Sequence, residues 1–148
     1  MNAVRIIIIA KEPRPGLAKT RLIPALGAQG AAELADRLLH HVVTQALAAD
    51  LGPVELCVTP DRRADYWHHW HDNGRLELTE QSDGDLGQRM ATAAQRGLAS
   101  GLPVILIGTD CPQLEAPKLQ AMATTLMKQD ACLCPVLDGG YSLLGLRR

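Results

Sequence analysis

Asp110 stands directly after the apolar run Val104–Ile107 and the pair Gly108–Thr109, in the stretch VILIGTDCPQL. A run without polar alternation fits a strand covered on both faces in a mostly parallel sheet. A carboxylate at the carboxyl end of such a strand lies where open α/β sheets bind ligands. Magnesium takes one or two carboxylates and leaves its other positions to water and substrate phosphates, so a lone strand-end aspartate suffices as an anchor. The simpler alternative is that Asp110 caps a turn or the following helix.

The second candidate is the loop Lys11–Leu22, KEPRPGLAKTRL, which carries Lys11, Arg14, Lys19 and Arg21 against the single acid Glu12. Pro13 and Pro15 disfavour helix, and Gly16 permits a backbone conformation closed to other residues. A di- or triphosphate is bound by cations together with backbone N–H groups that approach closely. Gly16, Lys19 and Arg21 could supply both at the carboxyl end of a first strand. The spacing is not that of a Walker loop, and no G-x-G-x-x-G is present. A solvated basic loop explains the charge equally well on its own. Yet this loop and Asp110 each follow a strand, so a parallel arrangement places them on one rim, where a metal at Asp110 has phosphates to bridge.

The third is Asp138-Gly139-Gly140-Tyr141. An Asp-Gly turn is the simplest reading. In the functional one, the glycines admit a ligand to the backbone while Asp138 takes a metal or a substrate hydroxyl. Other patches fall away. His68, His69 and His71 lack a completing cysteine or carboxylate cluster. Asp83-Gly84-Asp85 has Ala94 where a calcium loop needs its bidentate acid. Cys111 has no base indicated by spacing.

The elements that must position these groups alternate along the chain. Val4–Ala10 is a β-branched strand, about 28–49 a helix, Val54–Thr59 a strand, 62–72 a short helix with Trp67 and Trp70 on one face, and Leu76–Thr79 a short strand. A helix with Asp83 or Asp85 as cap runs to about Ala99, and the central strand follows it. Pro117–Lys128 is helical, and Ala131–Val136 and Tyr141–Leu146 are strands on either side of the Asp138 turn. Alternation of this kind predicts an α/β three-layer αβα domain with a mostly parallel, mixed sheet over residues 1–148. The final apolar strand has no following helix, which makes it an edge candidate and points to a homodimer.

At 148 residues, 47% apolar and 21% charged, the chain is one globular domain. A formal net charge of −1 offers nothing to nucleic acid or a membrane surface, so any attraction for phosphate is local. Cys57, Cys111, Cys132 and Cys134 form no C-x-x-C pair and, with no secretory leader read at the start, fit a reduced, cytoplasmic protein.

With these residues in view, the chain resembles a bacterial family of small glycosyltransferase-A-like proteins of unknown substrate, cofactor-guanylyltransferase-like in character. AKEPRPGLAKTRL, GDLGQRM (Gly84–Met90), LIGTDCPQL (Leu106–Leu114) and PVLDGGYSLLGL (Pro135–Leu146) carry the match in order over nearly the whole chain. The wider relatives include the molybdenum-cofactor and phospholactate guanylyltransferases. The resemblance implies a nucleotide-diphosphosugar transferase (GT-A-like, Rossmann-like) fold. It implies that Lys19 and Arg21 meet phosphates, that Asp110 holds Mg2+ (or Mn2+), and that Gly84–Met90 lies near the nucleotide base. Lys11, Gly16, Gly84, Gly87, Arg89 and Thr109 then fall to the nucleotide, and Asp138, Gly139, Gly140 and Tyr141 border the acceptor. Members of that family continue for some tens of residues beyond the DGGY segment.

The function expected is metal-dependent nucleotidyl transfer from a nucleoside triphosphate to a phosphate or hydroxyl of a small-molecule acceptor, with Lys19, Arg21, Asp110 and Asp138 as the catalytic set. Glycosyl transfer from a nucleotide sugar is the near alternative, and a non-catalytic nucleotide-binding domain the more distant one.

Overall fold

The computed structural model describes residues 3–70, 75–135 and 141–147. Six strands, β1 (Arg5–Lys11), β2 (Val54–Thr59), β3 (Leu76–Glu80), β4 (Val104–Ile107), β5 (Ala131–Pro135) and β6 (Tyr141–Leu146), form one sheet in the order β3-β2-β1-β4-β6-β5. The first four are mutually parallel, and β6 runs antiparallel to both β4 and β5. The α/β class with a mostly parallel mixed sheet is as the sequence implies.

The strands are apolar on both faces because both are covered. Ile6, Ile8, Leu56, Ile105, Ile107 and Leu143 face one side, against Leu39, Val42 and Val43 of α1 (Ile23–Ala49) and Leu119 and Leu126 of α3 (Ala116–Leu126). Ile7, Cys57, Val104 and Leu106 face the other, against Ala93 and Ala94 of α2 (Leu86–Leu98). Each isoleucine so buried contributes roughly 1.5–3 kcal/mol. At Gly97 a Cβ would come within 2.8 Å of Val104 Cγ2, so the missing side chain is what lets α2 lie close on the sheet.

The helix boundaries follow from local chemistry. Asp85 caps α2 by accepting from Gln88 N (2.9 Å), and Gln88 Oε1 accepts from Asp85 N (2.8 Å), a reciprocal capping box. α1 is interrupted at Gly27, whose φ of 74° and ψ of 162° break the helical path, so its long continuous part starts where the sequence places it. The segment expected as a helix over 62–72 is a 3-10 helix at Asp65–Trp70, with Trp67 fully buried.

One expectation is corrected. The final strand is not an edge: β6 is inserted between β4 and β5, and β5 forms the edge. The reason lies in its composition, since Leu143 enters the α1–α3 core while Leu144 and Leu146 pack with the α2 core. A strand apolar on both faces belongs inside a sheet. The premise for an edge-mediated dimer goes with it.

Candidate functional site

The parallel strands progress outward from β1 through β2 to β3, and the chain then returns to place β4 on the other side of β1. The seam between β1 and β4 is therefore the topological switch point of the sheet, the place where loops diverge and leave a crevice at the strands' carboxyl ends. The Lys11–Leu22 loop leaves β1 there and Gly108–Gln113 leaves β4. Lys19 Nζ donates to Asp110 Oδ1 across the seam.

Local structure fixes both groups. Arg14 O accepts from the N–H groups of Leu17 (3.0 Å) and Ala18 (3.1 Å), and Gly16 has a φ of 83° within that turn. Ala18 is buried and anchors the loop, and Lys19 then adopts the left-handed conformation, φ 49° and ψ 49°. A lysine held in that sparsely populated region is the kind of local strain that clusters at ligand sites. On the opposite side, α1 braces the Asp110 loop. His41 Nε2 lies 2.9 Å from Pro112 O, Gln45 Oε1 accepts from Ala116 N (2.8 Å), and Leu114 is buried. Among the described residues Asp110 caps no helix: the α3 cap position is Glu115, and the Asp110 side chain is 75% exposed.

The far wall belongs to α2 and to Gln81, which follows β3. Gln81 Nε2 donates to Ala10 O (3.0 Å) and Cys57 O (3.1 Å), and its Oε1 accepts from Arg89 Nη1 (3.0 Å). Between the walls lies a cleft of about 1080 Å³. Small-molecule sites run to roughly 300–1,000 Å³, so a nucleotide can be accommodated.

Lys11, Lys19, Arg21, Arg89, Thr109 and Asp110 all line this cleft, brought together from three separate stretches of sequence. Gly16, Gly84 and Gly87 do not. Gly84 has a φ of 111°, and a Cβ there would meet Gln88 Oε1 at 2.4 Å, so its role in the structure is to form the capping box. Asp138, Gly139 and Gly140 lie outside the described residues, and of Tyr141 only its place at the start of β6 is described. Sequence reasoning missed Gln81 and Thr59, while Leu22, Leu86 and Met90 give the cleft an apolar lining within the two stretches already singled out. Leu22 and Leu86 stay exposed at 36% and 54%, a departure from burial that is visible only once the fold is known.

The cleft is cationic, with Asp110 as its one acidic lining residue among the described residues. Among the described residues no group of three or more His, Cys, Asp or Glu gathers to hold a metal. A single exposed carboxylate among cations is chemically able to anchor a divalent ion together with phosphates that answer the surrounding positive charge, whereas a bare cation would meet Lys19 already on that carboxylate. The buried charge elsewhere is structural. Glu55 is fully buried on the α2 face, accepting from Arg96 (2.8 and 2.5 Å), Arg5 (3.4 Å) and Thr79 (2.8 Å). The hydrogen bonds that Arg96 donates to Glu55 raise the Arg96 pKa, and burial raises that of the Cys57 thiol beside it, which keeps the thiol protonated.

Residues 38–148 match the family described as "Uncharacterized protein conserved in bacteria (DUF2064)". Among curated proteins no match is found. A crystal structure of a protein from Desulfovibrio desulfuricans G20, provisionally assigned as a nucleotide-diphospho-sugar transferase, is 31% identical and superposes with a TM-score of 0.88 over 99% of this chain. This chain spans 64% of that protein's length. The CMP:2-keto-3-deoxy-manno-octonic acid synthetase complexed with CTP shares 14% identity at a TM-score of 0.60, over 90% of this chain and 52% of the other. Rv0371c of Mycobacterium tuberculosis H37Rv in complex with manganese shares 16% at 0.56, over 100% and 72%. The last two likenesses concern the fold, which is that of nucleotide-diphospho-sugar transferases and cytidylyltransferases.

Proposed function

The chain belongs to the DUF2064 family of bacterial proteins, and from that footing we propose that it is a metal-dependent nucleotidyltransferase working in the cleft at the β1–β4 seam. The observation that carries this reading is the meeting of Lys19 with Asp110 at the switch point, within a cleft otherwise lined by Lys11, Arg21 and Arg89. A cationic pocket with one exposed carboxylate suits a ligand that is itself strongly anionic and brings a divalent ion. The CTP-bound and manganese-bound proteins of the same fold support it by likeness.

In this reading a phosphate or hydroxyl oxygen of the acceptor forms a bond to the α-phosphorus of a nucleoside triphosphate, the bond from that phosphorus to the bridging oxygen breaks, and pyrophosphate leaves. A hydroxyl acceptor gives its proton to solvent. Lys19 and Arg21 sit where they can hold phosphate oxygens as negative charge shifts to the leaving group, the moment at which fixed cations matter most. Mg2+ or Mn2+ bound through Asp110 would add Lewis-acid stabilisation of that charge. Arg89, on the opposite wall, fixes the nucleotide's placement. Asp138, Gly139, Gly140 and Tyr141 are assigned to the acceptor side.

Glycosyl transfer from a nucleotide-diphosphate sugar uses the same cations on a departing diphosphate, and the Desulfovibrio protein's assignment favours it. Isothermal titration with ATP, GTP, CTP, UTP and the common nucleotide sugars, each with and without Mg2+, separates the two. Metal-dependent triphosphate binding, followed by pyrophosphate release with an acceptor, is the expected result. Preference for a nucleotide sugar with release of nucleoside diphosphate would replace nucleotidyl with glycosyl transfer. No nucleotide binding by folded protein would sink both.

A further inference from the structure

Gln81 is not among the residues whose chemistry invites attention, yet it holds the far wall together. Its backbone N–H donates to Val58 O (2.8 Å), extending the β2–β3 pairing by one residue. Its two side-chain donor hydrogens reach the carbonyls of Ala10 in β1 and Cys57 in β2. That leaves one polar atom, Oε1, and it accepts from Arg89 Nη1 at 3.0 Å. The amide orientation is fixed by this pattern: turned over, it would set an oxygen against two carbonyl oxygens and an NH2 group against a guanidinium. With its donors committed, Gln81 has little left to offer a ligand.

Arg89 is differently placed. Its Nε makes only a long contact to Asp85 O (3.4 Å), and Nη2 has no hydrogen bond among the described residues, while the side chain lines the cleft. A guanidinium is a planar fork whose value in recognition depends on its orientation. We propose that Gln81 is a positioning residue: anchored to the carboxyl ends of β1 and β2, it orients the Arg89 guanidinium so that its free donors meet acceptor oxygens or nitrogens of the bound nucleotide. This rests on the nucleotide reading above and adds to it the device that orders one of its binding groups. The sheet itself, through one amide, sets the direction of a cleft arginine carried by a helix.

The test is a double-mutant cycle of Gln81→Met and Arg89→Met, read by isothermal titration with whichever of ATP, GTP, CTP and UTP binds the wild type most tightly with Mg2+. Loss of a charge-assisted contact in Arg89→Met is expected to weaken binding at least about tenfold. Gln81→Met, which frees a rotamer-rich side chain that must be ordered again on binding, is expected to cost about fivefold. In the Arg89→Met background the same Gln81→Met change should cost nothing further, since there is no guanidinium left to orient. A merely structural glutamine would weaken binding equally in both backgrounds, and that additivity would overturn the proposal. So would unaltered binding by Arg89→Met in a wild type that binds nucleotide, an outcome that leaves the nucleotide reading standing. A wild type that binds none of the four overturns both. A measurement on the unliganded wild type alone stands beside these: nitrogen-resolved NMR should show the Arg89 guanidinium with slow rotation and distinct Nη signals. Averaged signals would contradict the proposal whatever the variants do.

Discussion

Lys19 Nζ and Asp110 Oδ1 meet across the seam between β1 and β4, although 91 residues separate them in the chain. Lys19 is 16% exposed and Asp110 75%, so the ammonium is the held partner and the carboxylate the open one. The same carboxylate is the metal ligand in the proposed function. In that reading Lys19 and a divalent ion compete for Asp110, and phosphates arriving with the ion would give Lys19 another partner.

Lys19→Met is expected to act in opposite directions on two ligands. Mn2+ alone should bind about tenfold more tightly, because the competing cation is gone. The metal-bound triphosphate should bind about tenfold more weakly, because a charge-assisted phosphate contact is lost. Titrating Mn2+ with and without nucleotide, by the paramagnetic signal of free ion, reads both; parallel changes would refute the competition.

Asp110→Asn should leave the fold nearly untouched and remove metal dependence. An exposed ion pair contributes roughly 0–1 kcal/mol, so the melting temperature should move little. Nucleotide binding should become indifferent to Mg2+. Persistence of the wild-type Mg2+ effect would exclude Asp110 as the ligand.

Arg96→Ala tests the buried charge on the α2 face. Glu55 is fully buried while Arg96 is 42% exposed, so removing Arg96 leaves an under-compensated buried carboxylate, a loss of up to about 3–5 kcal/mol. Arg5 and Thr79 still reach Glu55, so the loss should fall near the lower end of that range. Urea denaturation measures it. A loss below about 1 kcal/mol would mean that water replaces Arg96 freely.

Tyr66 gives a pH signature. Burial, and then its hydrogen bond to the Asp36 carboxylate, push its pKa up from 10.0. A group whose pKa is raised by folding adds stability below its unfolded value, here near pH 10, and loses that contribution as pH climbs toward the folded value. Alkaline absorbance titrations of the wild type and Tyr66→Phe should therefore coincide up to about pH 11, above the ordinary tyrosine range. An extra tyrosinate in the wild type below that pH would show the phenol to be accessible.

The fold was legible where composition and topology agree. Ile6–Ile8 and Val104–Ile107 are apolar without alternation because they sit in parallel strands buried on both sides, and sequence carries that signal directly. Lys19 and Asp110 could be expected on one rim because both follow such strands. The order of the last two strands was not legible, since a short apolar strand looks the same at an edge as inside. Gln81 and Thr59 were missed for a related reason. Nothing in their type sets them apart, and their importance comes from which strand ends, which arginine and which cleft they meet. The resemblance put Gly84 with the nucleotide, and its backbone conformation, φ 111°, is tied to the capping box that starts α2.

The β1–β4 pairing that frames the cleft joins a strand at the start of the chain to one that begins at Val104. Everything between them is a single long closed loop, and its closure is an entropic cost that the unfolded chain does not bear. A ligand gripped by Lys19 on one side and Asp110 on the other spans the mouth of that loop as a removable cross-link. Its occupancy would then be written into the lifetime of the folded chain, with β1 and β4 parting more slowly when the cleft is full than when it is empty.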